Sequence, residues 1–315
     1  MSTNTDQSTD DGALADRSLL DRLRSSQFLS NLLSNRLAII GLTIILGMLA
    51  VAIIARVSYD LSALRASNLG TVGDRLAPGW AGSGGATQHL FGTDAAGRDI
   101  FKRTLYGAWI AIKYGTVTVA ASTFLGVALG IIAAYYSDLT DNVIMRTMDV
   151  LLAFPSLLLA LALVAIFGAG LWKVVIALTL VYTPRFARVV RGAALKVLED
   201  EYIEATEALG ATDARVLARH VFPNTLAPVT VQSTLNYGLA IIDFAALSFL
   251  GFGAAPGVPS WGLMLSNGVT NGLLTGKWWM SLFPGLFLAI LVLGFNLLGD
   301  GMRDALDPRM REAVD

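Results

Sequence analysis

The sequence predicts an all-α polytopic membrane protein with six transmembrane helices and both termini in the cytoplasm. Three observations lead there. Hydrophobic residues make up 54% of the 315-residue chain and charged residues only 15%, an apolar excess beyond that of ordinary globular domains. The excess falls into runs of roughly 20 residues, the length at which a helix crosses a bilayer. Arginines gather before the first run, at the end of the fourth and after the last, which places those segments on the cytoplasmic side. The same composition sets exclusions. A net charge of −1 supplies no basic surface for nucleic acid. There are no cysteines, which excludes thiolate chemistry and disulfides, and only two histidines, His89 and His220, far apart in sequence, so a histidine-based metal centre has little to build on.

Residues 1–16 are polar and acidic, without the basic start and apolar core of a signal peptide, and read as a disordered tail. Residues 17–36 set Arg17, Arg22, Arg24 and Arg36 around leucines and Phe28, the pattern of a cytoplasmic amphipathic helix on the membrane surface. The first span covers 37–57. A Gly-rich extracytoplasmic loop, 58–107, ends in HLFGTDAAGRDIFKRTLYG (89–107), where Thr93 or Asp94 is suited to cap a helix. The loop holds Arg65, Arg75, Arg98, Lys102 and Arg103, against the charge rule, which constrains loops near this length only weakly.

Residues 108–303 form a five-helix core. Its first span, 109–136, carries Gly115, Gly126 and Gly130 as surfaces for close packing. A short inner loop, 137–147, precedes a span over 148–167 kinked at Pro155. The next span, 174–190, should bend at Pro184 and ends in Arg185, Arg188 and Arg191. The last two spans cover 229–252 and 278–298, separated by a Gly- and Pro-rich outer loop, 253–277. Residues 304–315 are a cytoplasmic tail.

Between the fourth and fifth spans lies a cytoplasmic polar island, 199–223, reading EDEYIEATEALGATDARVLARHVFP. Glu201, Glu204 and Glu207 recur every third residue, and Ala205, Ala208 and Leu209 make a small apolar strip, so a short amphipathic helix is expected. Its first turn is acidic, as the helix dipole favours. Gly210 stands where a helix stops in a left-handed turn. Thr212 or Asp213 then caps a second short helix through Arg215 and Arg219, which Pro223 closes. The unit reads as a docking knob for a cytoplasmic partner, against the plainer reading of a solvated loop with two helical turns.

Glu204-Ala205-Thr206, with Gly210 and Pro223 following, resembles the EAA loop of binding-protein-dependent ABC importer permeases. Further blocks are FGTDAAGRDIFKRTLYG (91–107), MRTMDVLLAFPSLLLALAL (145–163), RHVFPNTLAPVTVQSTL (219–235), ALSFLGFGAAPGVPSWGLML (246–265) and FNLLGDGMRDALDPR (295–309). Together they resemble the second permease subunit of dipeptide, oligopeptide and nickel importers. The resemblance implies the type I importer permease fold and half of a heterodimeric pore. Its implied partners are a second homologous permease, two ATPase subunits, an extracytoplasmic solute-binding protein and the lipid bilayer. ATP and magnesium would be bound by the ATPases, with no cofactor in this chain. Glu204, Ala205 and Gly210 take the coupling positions, flanked by Glu201, Ala208 and Leu209. The chain departs at Thr206, where a second Ala is common, and at Phe244, where an acid is common; Asp243 lies one residue earlier, turned by about 100° around the helix.

An ionised Asp243 in a span costs roughly 2.5–3.5 kcal/mol on insertion scales. It should therefore face the pore or a partner, with a helix–helix hydrogen bond favoured over contact with a peptide amine or a cation. Asp149 and Asp300 are expected to pair with Arg146 and Arg303, and Lys113 to snorkel to the interface. GLLTGKW (272–278) misses the spacing of a phosphate loop, and no enzyme active site stands out. The alternative function is an ion-coupled secondary transporter, against which stand the lack of an inverted repeat and the scarcity of buried ionisable residues. A third reading is a scaffold whose elbow only recruits a partner.

Overall fold

The computed structural model describes residues 32–68, 76–80, 85–86, 88–136 and 138–306. The tail at 1–16, most of the amphipathic segment at 17–36 and the end of the chain from 307 lie outside the described residues. Helix α1 spans Arg36–Ser58, begun by Asn35, whose side chain accepts from the backbone N–H of Leu37 and Ala38. A short α2, Leu61–Arg65, follows. Between α2 and the next helix, β1 (Ala77–Pro78) pairs with β2 (Gly85–Ala86) in a two-residue parallel ladder. Then come α3 (Ile100–Tyr136), α4 (Asp138–Leu152), α5 (Ser156–Phe167), α6 (Leu171–Leu198), α7 (Glu201–Ala208), α8 (Asp213–Val216), α9 (Phe222–Phe249), α10 (Trp261–Asn271) and α11 (Trp279–Leu306).

Among the described residues, α1, α3 and α11 are long and apolar enough to cross a membrane, and α4 with α5 would add a fourth crossing if the pair is one broken span. Helices α6 and α9 are each 28 residues long but more polar. One carries Arg185, Arg188 and Arg191; the other carries the run TVQSTLNY at 230–237.

Helices α3 and α6 lie against each other at Gly126 and Gly130. A Cβ at Gly130 would stand 2.6 Å from the Ala187 carbonyl oxygen, so only hydrogen permits this approach. Helix α9 packs against α3, α6, α10 and α11, and α11 packs against α1. The Asn35 amide reaches the Asp304 carboxylate at 3.4 Å, so the start of α1 and the end of α11 meet at one end of the bundle.

Several sequence expectations change. The loop at 137–147 and the span at 148–167 are instead two helices, α4 and α5, bent by 96°. Pro155 lacks an N–H and disfavours helical backbone at Phe154, so the helix stops rather than kinks. Laid beside α6, α4 is tied to it by Asp141 with Arg191 and by Asp149 with Arg188 at 2.6 Å. Asp149 therefore does not pair with Arg146. The outer loop at 253–277 contains α10, whose Trp261 is buried and donates its indole N–H to the Thr104 carbonyl at 2.8 Å.

Neither Thr93 nor Asp94 caps α3. Asp99 does, accepting from the Lys102 N–H at 3.1 Å, while Asp94 closes the preceding turn through the N–H groups of Ala96 and Arg98. Two of the cations in the segment at 58–107 are thereby placed. Arg98 pairs with Asp94 at 2.7 Å. Arg103 is 1% exposed and donates to the carbonyls of Leu64 and Gly257, clamping α2 and the loop before α10 onto α3.

Candidate docking elbow

The chain leaves α6 at Glu199, extends through Asp200 and re-enters helix at Glu201. Of the eight residues of α7, only Ile203 is buried. Its side chain enters a cluster with Ile131 and Ala134 of α3, Val190 and Ala194 of α6, and Val216 and Val221 beyond the turn. At about 100° per residue, Glu201, Ala205, Ala208 and Leu209 lie about 140–240° around the axis from Ile203. They and Glu204 are exposed, and Leu209 is 89% exposed. The small apolar strip read from the sequence thus exists on the helix and faces away from the bundle.

Gly210 ends the helix in the left-handed region, with φ of +84°. Its N–H reaches the Glu207 carbonyl at 2.8 Å and the Ala211 N–H reaches Thr206 at 3.3 Å, the paired bonds of a Schellman stop. The departure at Thr206 leaves no polar group unpaired, because its hydroxyl donates to the Tyr202 carbonyl at 2.7 Å. The Tyr135 hydroxyl donates to the Glu207 carboxylate at 3.4 Å, a second tie between α3 and the elbow.

Thr212 is the residue before α8 but makes no side-chain cap bond, and Asp213 lies in the first turn. The second limb is not closed by Pro223. It passes through a π turn, Leu217–Val221, directly into α9, and the Phe222 N–H reaches back five residues to the Leu217 carbonyl. Pro223 has no N–H and its ring would crowd the carbonyl four residues earlier; a widened turn relieves both. Tyr202 ties the two limbs, accepting from the Asn224 amide at 3.3 Å with its ring 5.9 Å from that of His220.

Asp243 stands apart from the elbow. It accepts from the Tyr182 hydroxyl of α6 at 2.8 Å, and the Arg185 guanidinium lies 5.0 Å over the Tyr182 ring. It is therefore engaged in a helix–helix hydrogen bond. Phe244 is buried and stacks on Tyr114 with ring centroids 5.7 Å apart. Among the described residues no group of three or more His, Asp or Glu is placed to hold a metal ion.

Sequence reasoning missed Ile203 as the anchor of the elbow. The available signal was that it is the one β-branched aliphatic residue in the acidic half of the island.

A bundle of long apolar helices with an anchored elbow at one end defines a multi-pass membrane protein. Residues 126–312 match the binding-protein-dependent transport system inner membrane component family, and the chain belongs to that family, the permeases of binding-protein-dependent ABC importers. The match takes in the elbow and the helices on both sides of it. The dipeptide transport system permease protein DppC of Alkalihalophilus pseudofirmus is 43% identical over 279 residues, 88% of this chain and 87% of its own. The di/tripeptide transport system permease protein DppC of Pseudomonas aeruginosa is 42% identical, covering 75% of this chain and 77% of its own. The glutathione transport system permease protein GsiD of Pectobacterium atrosepticum is 42% identical over 72% of this chain and 75% of its own. The fold resembles the MetNI methionine ABC transporter in an inward-facing conformation, with a TM-score of 0.53 and 18% identity over 66% of this chain and 98% of that one. None of these similarities favours the ion-coupled transporter.

Proposed function

We propose that this chain is one permease subunit of an ATP-driven importer of di- and oligopeptides and that α7 is its contact with an ATPase. The observation that carries the reading is the exposed strip of Ala205, Ala208 and Leu209 beside Glu204, on a helix held by Ile203 and stopped by Gly210. Small residues let a partner backbone approach closely, Leu209 supplies an apolar contact, and Glu204 a charged anchor. An elbow continuous with α9 moves that helix when it moves, so an ATPase that binds it can bias the pore between two states.

The peptide cargo is supported by the names of the relatives. In this reading α6 and α9 also cross the membrane, giving six spans, with α9's polar residues turned from lipid. Both termini share the elbow's side, which the meeting of Asn35 with Asp304 and the closeness of Arg303 to Ala227 and Pro228 at the elbow end of α9 support, and the arginines of α6 and the elbow favour the cytoplasm for that side. A second homologous permease completes the pore, two ATPases bind ATP and magnesium, and an extracytoplasmic binding protein delivers the peptide.

Affinity purification of the tagged chain from its membrane in mild detergent tests this. The wild type should bring down an ATPase and a second permease; Glu204→Lys should insert normally, keep the permease and lose the ATPase. A wild-type chain that inserts but carries no ATPase even after crosslinking would overturn the reading.

A further inference from the structure

A groove of about 660 Å3 runs between α3 and α9, on the half of α9 nearer the elbow. Its walls are mostly apolar, with Phe124 and Leu226 among them, and every lining residue is uncharged. Four hydroxyls interrupt the apolar surface: Thr116 and Thr123 from α3, and Ser233 and Tyr237 from α9. They meet in two rungs across the groove. Thr116 Oγ1 is 2.5 Å from the Tyr237 hydroxyl, and Thr123 Oγ1 is 3.3 Å from Ser233 Oγ.

The direction of each rung follows from proton counting. Tyr237 gives its proton to the Ile112 carbonyl at 2.9 Å, and Ser233 gives its own to the Val229 carbonyl at 2.8 Å. Each hydroxyl has a single proton to donate. Thr116 and Thr123 must therefore be the donors across the rungs, and both keep acceptor lone pairs. The groove thus offers acceptors at two heights between apolar walls, with no fixed charge. A lipid chain has no donors to meet them. A peptide main chain has one N–H at almost every residue, whatever its side chains.

We propose that this groove binds the peptide main chain during transport, with Thr116 and Thr123 accepting from peptide N–H groups and the apolar walls taking the side chains. The inference rests on the peptide-importer reading and assigns its cargo a place on this chain. Its volume lies within the range of small-ligand sites, roughly 300–1,000 Å3. Neutral walls fit a carrier of varied peptides, because a buried charge would favour one side chain and penalise its opposite.

The test uses the whole importer in proteoliposomes with its binding protein, and trialanine as the probe. The chain has no cysteine, so Ala120→Cys, on the α3 wall of the groove, gives it a single thiol. A charged methanethiosulfonate should label this position, and saturating trialanine should slow the labelling several-fold. Arg146→Cys, exposed on α4, should label at a rate indifferent to peptide. Thr123→Val, with Ser233→Ala to remove the rung partner, should raise the trialanine KM about three- to tenfold, as expected for one lost hydrogen bond. Labelling of Ala120→Cys only by a neutral, bilayer-partitioning maleimide would mean that lipid fills the groove. Crosslinking to the second permease with no peptide effect would mean a subunit interface. Either result, or an unchanged KM, overturns the groove while leaving the importer reading in place. A wild-type complex that binds an ATPase but accumulates no trialanine overturns the peptide reading and this inference with it.

Discussion

Replacing Ile203 with Ala should release the elbow without unfolding the bundle. Helix α7 has eight residues, below the roughly 12–15 at which isolated helices become even marginally stable, so tertiary contact must hold it. Ile203 is its single buried side chain, at 2% exposure. Truncation removes three carbons, about 2.4 kcal/mol at roughly 0.8 per buried methylene. The cavity left among Ile131, Val190 and Val216 brings the expected cost to about 3 kcal/mol, inside the roughly 2–5 seen for such changes. At about 1.36 kcal/mol per decade this is about a 150-fold shift of the elbow's opening equilibrium.

Hydrogen exchange on the chain in nanodiscs measures it directly. Amides at 201–208 should exchange about 150-fold faster in Ile203→Ala, with α3 amides around Gly126 unchanged, and ATPase recovery should fall in parallel. Ile203→Val, at about 1 kcal/mol, should give about a fivefold effect. Wild-type exchange over 201–208 in Ile203→Ala would refute the claim that this side chain anchors the elbow.

Gly210→Val should cost about 1–2 kcal/mol of elbow stability from the left-handed backbone alone, since a Cβ there meets nothing within 4 Å; Gly210→Asn, which tolerates that region, should retain ATPase in the same pull-down. Arg103→Met should destabilise the segment before α3 by about 3–5 kcal/mol, because the buried Leu64 carbonyl and the half-buried Gly257 carbonyl lose their donor; limited proteolysis should then cut near 61–68, where the wild type resists. Tyr182→Phe should cost about 1–3 kcal/mol by removing one of the two side-chain donors of the Asp243 carboxylate, the other being Ser156. A thermal melt of the detergent-purified protein reads this, and an unchanged melt would mean that Ser156 alone suffices to hold Asp243.

Much of the elbow is legible in the order of its residues. Gly210 as a helix stop, the acidic first turn and the small-residue strip all depend on neighbours within one or two turns. The long apolar runs likewise predict the helices α1, α3 and α11, because length and hydropathy are local properties. Other features need distant partners. Pro223 looks like a terminator in sequence, yet a π turn carries the helix past it into α9. Arg103 looks like an exposed loop cation, yet it is the buried clamp between Leu64 and Gly257. Asp149 has an arginine three residues away but pairs with Arg188, because α4 turns 96° from α5 and lies along α6.

The membrane class, the family and the chemistry of the elbow's surface are written in the chain itself. Apolar run length, motif order and the small, acidic character of α7 are all set within short stretches of sequence. Which face of α7 is anchored is settled by packing alone, since Ile203 finds Ile131 and Val190 across long separations in sequence. Hydrophobic burial is non-directional: it rewards any apolar face that meets another, and which face does so is set by how α3 and α6 close around the turn.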